Sequence, residues 1–183
     1  MAPGALDEHV YKERSYDARP TLTVLMQACS EGAPLAHVST LLAGRPNVNA
    51  VDRGYGRTAV SLACDTGRED MVRKLLEANA DPNIAAIRVG GRTPLIVASS
   101  RGYASIVSAL ISSGANVNYA THAGRTALMW ACDEGHVDVV RVLVDARADV
   151  NRTNVQGQTA LDMARRLGCD DIVAMLVDAG AVR

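Results

Sequence analysis

The sequence predicts an all-α solenoid of about five helix–turn–helix repeats, with hairpin-like loops projecting from the stack. Three observations lead there. First, Thr23, Thr58, Thr93, Thr126 and Thr159 are each followed nine residues later by Gly32, Gly67, Gly102, Gly135 and Gly168, and an Ala always lies five after the Thr. Second, a paired-aliphatic segment follows each of those glycines. Third, the Thr-to-Thr steps are 35, 35, 33 and 33 residues, a register that chance does not produce five times.

Each element of the unit has a mechanical reason. A Thr hydroxyl can accept a bond from an otherwise unpaired helix N–H, so Thr suits the N-cap of a short first helix. Pro94 stands directly after its Thr, at the first helical position, where a missing N–H costs nothing. The Gly nine residues on can take the left-handed conformation that ends the helix. The second helix is read from Met71-Val72 with Leu75-Leu76, Ile106-Val107 with Leu110-Ile111, Val139-Val140 with Leu143-Val144, and Ile172-Val173 with Leu176-Val177. Spacings of three and four put these side chains on one helical face. The first repeat keeps Val38 with Leu41-Leu42.

An Asx turn then closes the unit at Asn47-Val48-Asn49, Asp81-Pro82-Asn83, Asn116-Val117-Asn118 and Asp149-Val150-Asn151, since Asx side chains bond their own backbone in turns. The following stretch, with Gly56, Gly91, Gly124 and Gly157, reads as a projecting loop, one residue longer before Thr58 and two longer before Thr93. The boundaries are an extension over residues 1–20, flexible or capping, and repeats over about 21–51, 52–84, 85–118, 119–151 and 152–183.

Composition agrees and excludes other classes. Hydrophobic residues make up 48% and aromatics 3%, with no Phe, so the core must be built from small aliphatics. That suits closely packed helices better than a sandwich. A net charge of −1 gives no bulk attraction to nucleic acid or anionic membrane. No apolar run approaches the ~18–20 residues of a membrane span, and the N-terminus does not read as a secretory signal. A cytoplasmic or nuclear location is expected, with no secretion, no membrane insertion, no cofactor and no metal.

The Thr-Pro-Leu type start, the Gly after the first helix, the paired aliphatics and the Asp/Asn-Val-Asn turn resemble ankyrin repeats. The resemblance covers roughly residues 20–183. It departs at the first repeat, which has Thr21 in place of the loop Gly and one extra residue near Pro34. It departs again in the last, which stops after Gly180-Ala181 and reads either as a cap or as the start of a longer array.

The resemblance implies a non-catalytic protein-interaction module, a scaffold, adaptor or inhibitor, monomeric in isolation. It implies binding through the loop tips and the concave inner-helix face. The alternative is a structural spacer or regulatory segment of a larger multidomain protein or enzyme complex. Carried over by position, the tips offer Arg53, Tyr55, Arg57, Arg88, Arg92, His122 and Arg125. The ends of the first helices offer Asp65, Arg101, Asp133, Glu134 and Arg166. Arg152 also falls on the loops, and Asp52 is the carboxylate accompanying their arginines. The pattern suggests a basic rim beside an acidic patch of Asp65, Asp133 and Glu134, matching a partner with an acidic segment flanked by a basic one.

Other motifs dissolve into repeat positions. Cys29, Cys64 and Cys132 lie six residues after their Thr, where Ser99 and Arg165 stand in the other two repeats. A small residue wedged between helices explains them better than a metal or redox site. Gly54-Tyr55-Gly56-Arg57-Thr58-Ala59 fits a dinucleotide fingerprint only superficially, because a turn and not a buried strand precedes it. His136 beside Asp133 and Glu134 reads as a structural loop residue, with no second His at ligand spacing. The Asn-Arg-Thr sequon at Asn151 reads as a turn, and the resemblance adds asparagine hydroxylation at Asn83 and Asn151 as a modification the turns could accept. Trp130, four after Thr126, is a core residue or an aromatic anchor on the inner face.

Overall fold

The computed structural model describes residues 23–182; the extension expected over 1–20 lies outside the described residues. Among the described residues ten α-helices follow one another: α1 Val24–Ser30, α2 Leu35–Ala43, α3 Ala59–Asp65, α4 Glu69–Glu77, α5 Pro94–Ser100, α6 Ala104–Ser112, α7 Ala127–Asp133, α8 Val137–Asp145, α9 Ala160–Leu167 and α10 Asp170–Asp178. Odd-numbered helices pack against one another in sequence, even-numbered helices do the same, and each odd helix packs on its own even partner. The result is two layers of helices with one continuous core, the solenoid that the repeat period predicts.

The caps are those expected. Each of the five Thr side chains accepts the backbone N–H three residues ahead, and Thr159 forms a full capping box with Asp162. Gly102 shows why the terminating position is glycine. Its φ is +81°, and a Cβ there would lie 2.8 Å from the His136 ring of the next repeat. His136 itself meets the Ser100 carbonyl at 3.2 Å, so it is a structural loop residue.

The core is aliphatic. Met71, Leu75, Leu95, Ile106, Leu110, Leu128, Leu143, Leu161 and Ile172 are fully buried. Each contributes roughly 2 kcal/mol by leaving water. Cys29, Cys64, Ser99 and Cys132 are all completely buried at the wedge position. Burial pushes the Cys29 thiol up to about 11 and the Cys132 thiol up to about 12, and raises that of Cys64 too. All four cysteines are free thiols, with Cys169 half-buried.

The turn asparagines do more than the sequence suggested. The first Asx of each turn closes its own turn: Asn47, Asp81, Asn116 and Asp149 accept the N–H two residues on. The second reaches into the following repeat. Asn49, Asn83 and Asn118 accept the N–H of Asp81, Asn116 and Asp149. Asn151 accepts from Val182 and donates to the Gly180 carbonyl. These four side chains form a ladder of inter-repeat clamps.

Candidate functional site

The projecting loops, here called fingers, are small pinned hairpins. Backbone bonds close them from Asp52 N–H to the Arg57 carbonyl, Ala86 to Arg92, Thr121 to Arg125 and Asn154 to Gln158. In three fingers a buried polar side chain at the base holds the loop. Asp52 accepts from the backbone N–H groups of Tyr55 and Arg57 and from Arg57 Nε. Thr121 accepts from Arg125 N–H, and Asn154 from those of Gln156 and Gln158. The two extra residues of the second finger form a tip turn of 3₁₀ helix, Ile87–Val89.

Asp52 is 2% exposed. Burial alone would raise its carboxyl, but the bonds from Tyr55 and Arg57 outweigh it and hold the group below the usual carboxylate range. Gly54-Tyr55-Gly56-Arg57 is therefore the tip of a finger clasped by Asp52.

Neighbouring fingers are joined. Arg88 Nη1 donates to the Arg53 carbonyl, His122 N–H to the Gly90 carbonyl, and Val155 N–H to the Ala123 carbonyl. His122 also lies against Gly91, where a Cβ would come within 3.0 Å of its ring. The fingers form a continuous ribbon, so Arg53, Tyr55, Arg57, Arg88 and His122 share one edge.

Below that edge, Trp130 on α7 is 7% exposed and sandwiched between two guanidinium groups. Arg125, on its own finger, lies 3.7 Å from the ring centroid, and Arg92, on the preceding finger, lies 4.1 Å away. The ring belongs to the hydrophobic core and is also flanked by the two arginines. Arg125 Nη2 also donates to Asp133 at 2.6 Å, and Arg166 of α9 donates to the other oxygen of Asp133. Arg101 contacts Asp65 at 2.7 Å, with Glu134 exposed nearby.

The rim and the patch are consequently not separate. The acidic residues Asp65 and Asp133 are each paired with arginine, because the ends of successive first helices lie side by side in the stack. Asp52 is not the sole carboxylate beside the finger arginines either: Asp133 pairs with Arg125, and Asp149 lies 3.9 Å from Arg152. Arg166 is one of the first-helix ends that the sequence offers, and the stack brings it to Asp133. Its signal was its register: like Asp133, it stands seven residues after the Thr of its repeat. Asp52 is legible as the carboxylate beside the finger arginines, but its clasping role, like those of Thr121 and Asn154, is not, because Asp, Thr and Asn share no one residue type that marks the position.

Two hollows, of about 270 Å³ between α6 and α8 and about 310 Å³ around Gly102 and His136, contain none of the candidate residues. Among the described residues no group of three or more His, Cys, Asp or Glu is placed to hold a metal ion, and no helix is long and apolar enough to cross a membrane.

A family model described as ankyrin repeats (3 copies) matches residues 6–86, 25–121, 84–154 and 119–182. The E3 ubiquitin-protein ligase KEG of Arabidopsis thaliana is 35% identical over 106 residues, 54% of this chain and 6% of that protein. The human ankyrin repeat domain-containing protein 63 is 34% identical over 109 residues, 60% of this chain and 28% of its own length. The mouse B-cell lymphoma 3 protein homolog is 34% identical over 119 residues, 64% of this chain and 24% of its own. The chain thus spans well under a third of these relatives' lengths. Thr caps, left-handed glycines, paired helices, Asx turns and a family match running over nearly the whole chain agree, and the chain belongs to the ankyrin-repeat family.

Proposed function

We propose that this chain is a non-catalytic protein-interaction module that engages its partner through the fingers and the first-helix ends. One observation supports this most. The Arg92–Trp130–Arg125 stack, with Asp133 and the exposed Arg166, gathers ordered polar groups from three successive repeats. Groups already held in place lose little freedom on binding, which favours rigid-surface recognition. Trp and Arg are also the residue types that dominate interface energetics. The relatives show the same repeats inside much longer proteins, one of them a ubiquitin ligase, which keeps the spacer reading as the alternative.

Affinity capture with the full chain, against a variant carrying Arg92→Ala, Arg125→Ala and Arg101→Glu, tests the proposal. Specific partners held by the parent should be lost by the variant, with circular dichroism confirming its fold. An identical partner set on both proteins would move binding away from this surface. Capture of nothing specific by either would favour the spacer.

A further inference from the structure

The finger segments are net basic, whereas the second helices taken together are net acidic. The finger segments 50–58, 84–93, 119–126 and 152–159 contain six arginines and one aspartate. Helices α2, α4, α6, α8 and α10 contain eight carboxylates and three cations. The basic surplus of this near-neutral chain therefore includes the fingers. Within the finger edge the surplus is concentrated. Arg57 is matched by Asp52, Arg125 by Asp133, and Arg152 lies near Asp149. Arg53 and Arg88, on the first two fingers, are exposed and have no carboxylate contact among the described residues.

The same edge exposes apolar side chains. Tyr55 is 40% exposed, Ile87 67% and Val155 72%. They stand on the first, second and fourth fingers, interleaved with the arginines, on a ribbon whose fingers are joined by hydrogen bonds. Apolar tips fixed this way gain by being covered, because the backbone beneath them is already ordered.

We infer, building on the proposed binding role, that the finger edge takes an extended acidic–apolar segment of a partner protein. Successive repeats are spaced by about 10 Å, one helix-packing distance. An extended chain advances about 3.3 Å per residue, or about three residues per finger. The segment then places two carboxylates, about three residues apart, against Arg53 and Arg88. It places an aliphatic residue about six residues beyond, toward Val155. The net basic fingers attract the same segment more than the second helices do, which steers it to the finger edge. A single-stranded nucleic acid fits less well. Ile87 and Val155 offer no stacking face, and Trp130 is already covered on both sides.

The test is selection of a random dodecapeptide phage library on the full chain, with an unrelated protein as counter-selection. Enriched peptides should be acidic, with carboxylates about three residues apart and an aliphatic beyond. The Arg53→Glu/Arg88→Glu variant should weaken them by about tenfold or more, and this loss should shrink with added salt. Ile87→Ser/Val155→Ser should weaken them without changing the salt dependence. Neutral or basic enriched peptides, or peptides indifferent to both variants, would overturn the inference and leave the binding role standing. No enrichment over the control would overturn both. A single-stranded RNA dodecamer bound as tightly as the peptides would overturn the choice of a protein ligand.

Discussion

Asp52 shows how one residue can hold a whole finger. Its carboxylate takes three hydrogen bonds, one from a guanidinium, so Asp52→Asn should cost about 2 kcal/mol in urea unfolding at pH 7. A carboxyl depressed by folding stabilises fully above its unfolded value of about 4. That contribution fades as pH falls through the lower folded value, so the gap between parent and Asp52→Asn should be smaller at pH 3 than at pH 7. Glycines separate two costs at the same scale. Gly157→Ala, at φ +75° with open space around it, should lose about 1 kcal/mol from backbone strain alone. Gly102→Ala adds a clash with the His136 ring and should lose more, both measured by urea unfolding. The cysteines were legible as wedges from their register, and their chemistry follows from burial. Native alkylation, read by mass spectrometry, should label Cys169 first and reach Cys29, Cys64 and Cys132 only on unfolding.

At the scale of the element, helix starts and stops were readable because capping is local: a Thr, nine residues and a Gly describe a helix without reference to anything distant. The Asx turns were only half readable. Asn116 and Asn118 look alike in sequence, yet Asn116 closes its own turn and Asn118 accepts Asp149 N–H from the next repeat. Asn118→Ala should cost about 1 kcal/mol and lower the cooperativity of unfolding, seen as a reduced urea m-value. Asn116→Ala should lower stability with the m-value unchanged. The inter-repeat bond was hidden because 31 residues separate its partners, and no local rule links them.

Across the whole molecule, the fifth repeat differs from the others in the polarity of one face. Positions three and six after the Thr face the following repeat, and Met26, Met129, Cys29 and Cys132 are buried there. In the fifth repeat these positions are Asp162 and Arg165, both exposed. Charges on that face are costly to bury, so they keep it in water. Asp162→Leu with Arg165→Ser would create an apolar stacking face, and analytical ultracentrifugation should then show stronger concentration-dependent association than the parent does. The candidate residues tell a related story of scale. Their membership in the fingers and first-helix ends was legible from repeat register. Their pairing was not: Asp65 with Arg101 and Asp133 with Arg166 meet only because the stack sets one repeat beside the next.

The sequence by itself determined the repeat, its caps and its aliphatic core, because each depends on neighbours within a few residues or on simple periodicity. Only the tertiary structure decided what the arginines do. Packing one repeat against another placed Arg92 and Arg125 on the two faces of Trp130 and tied Asp133 to two cations. It also left Arg53 and Arg88 facing outward among apolar tips. Side-chain charges carry no address in sequence; which ones neutralise each other depends on distances of a few ångströms that exist only after stacking.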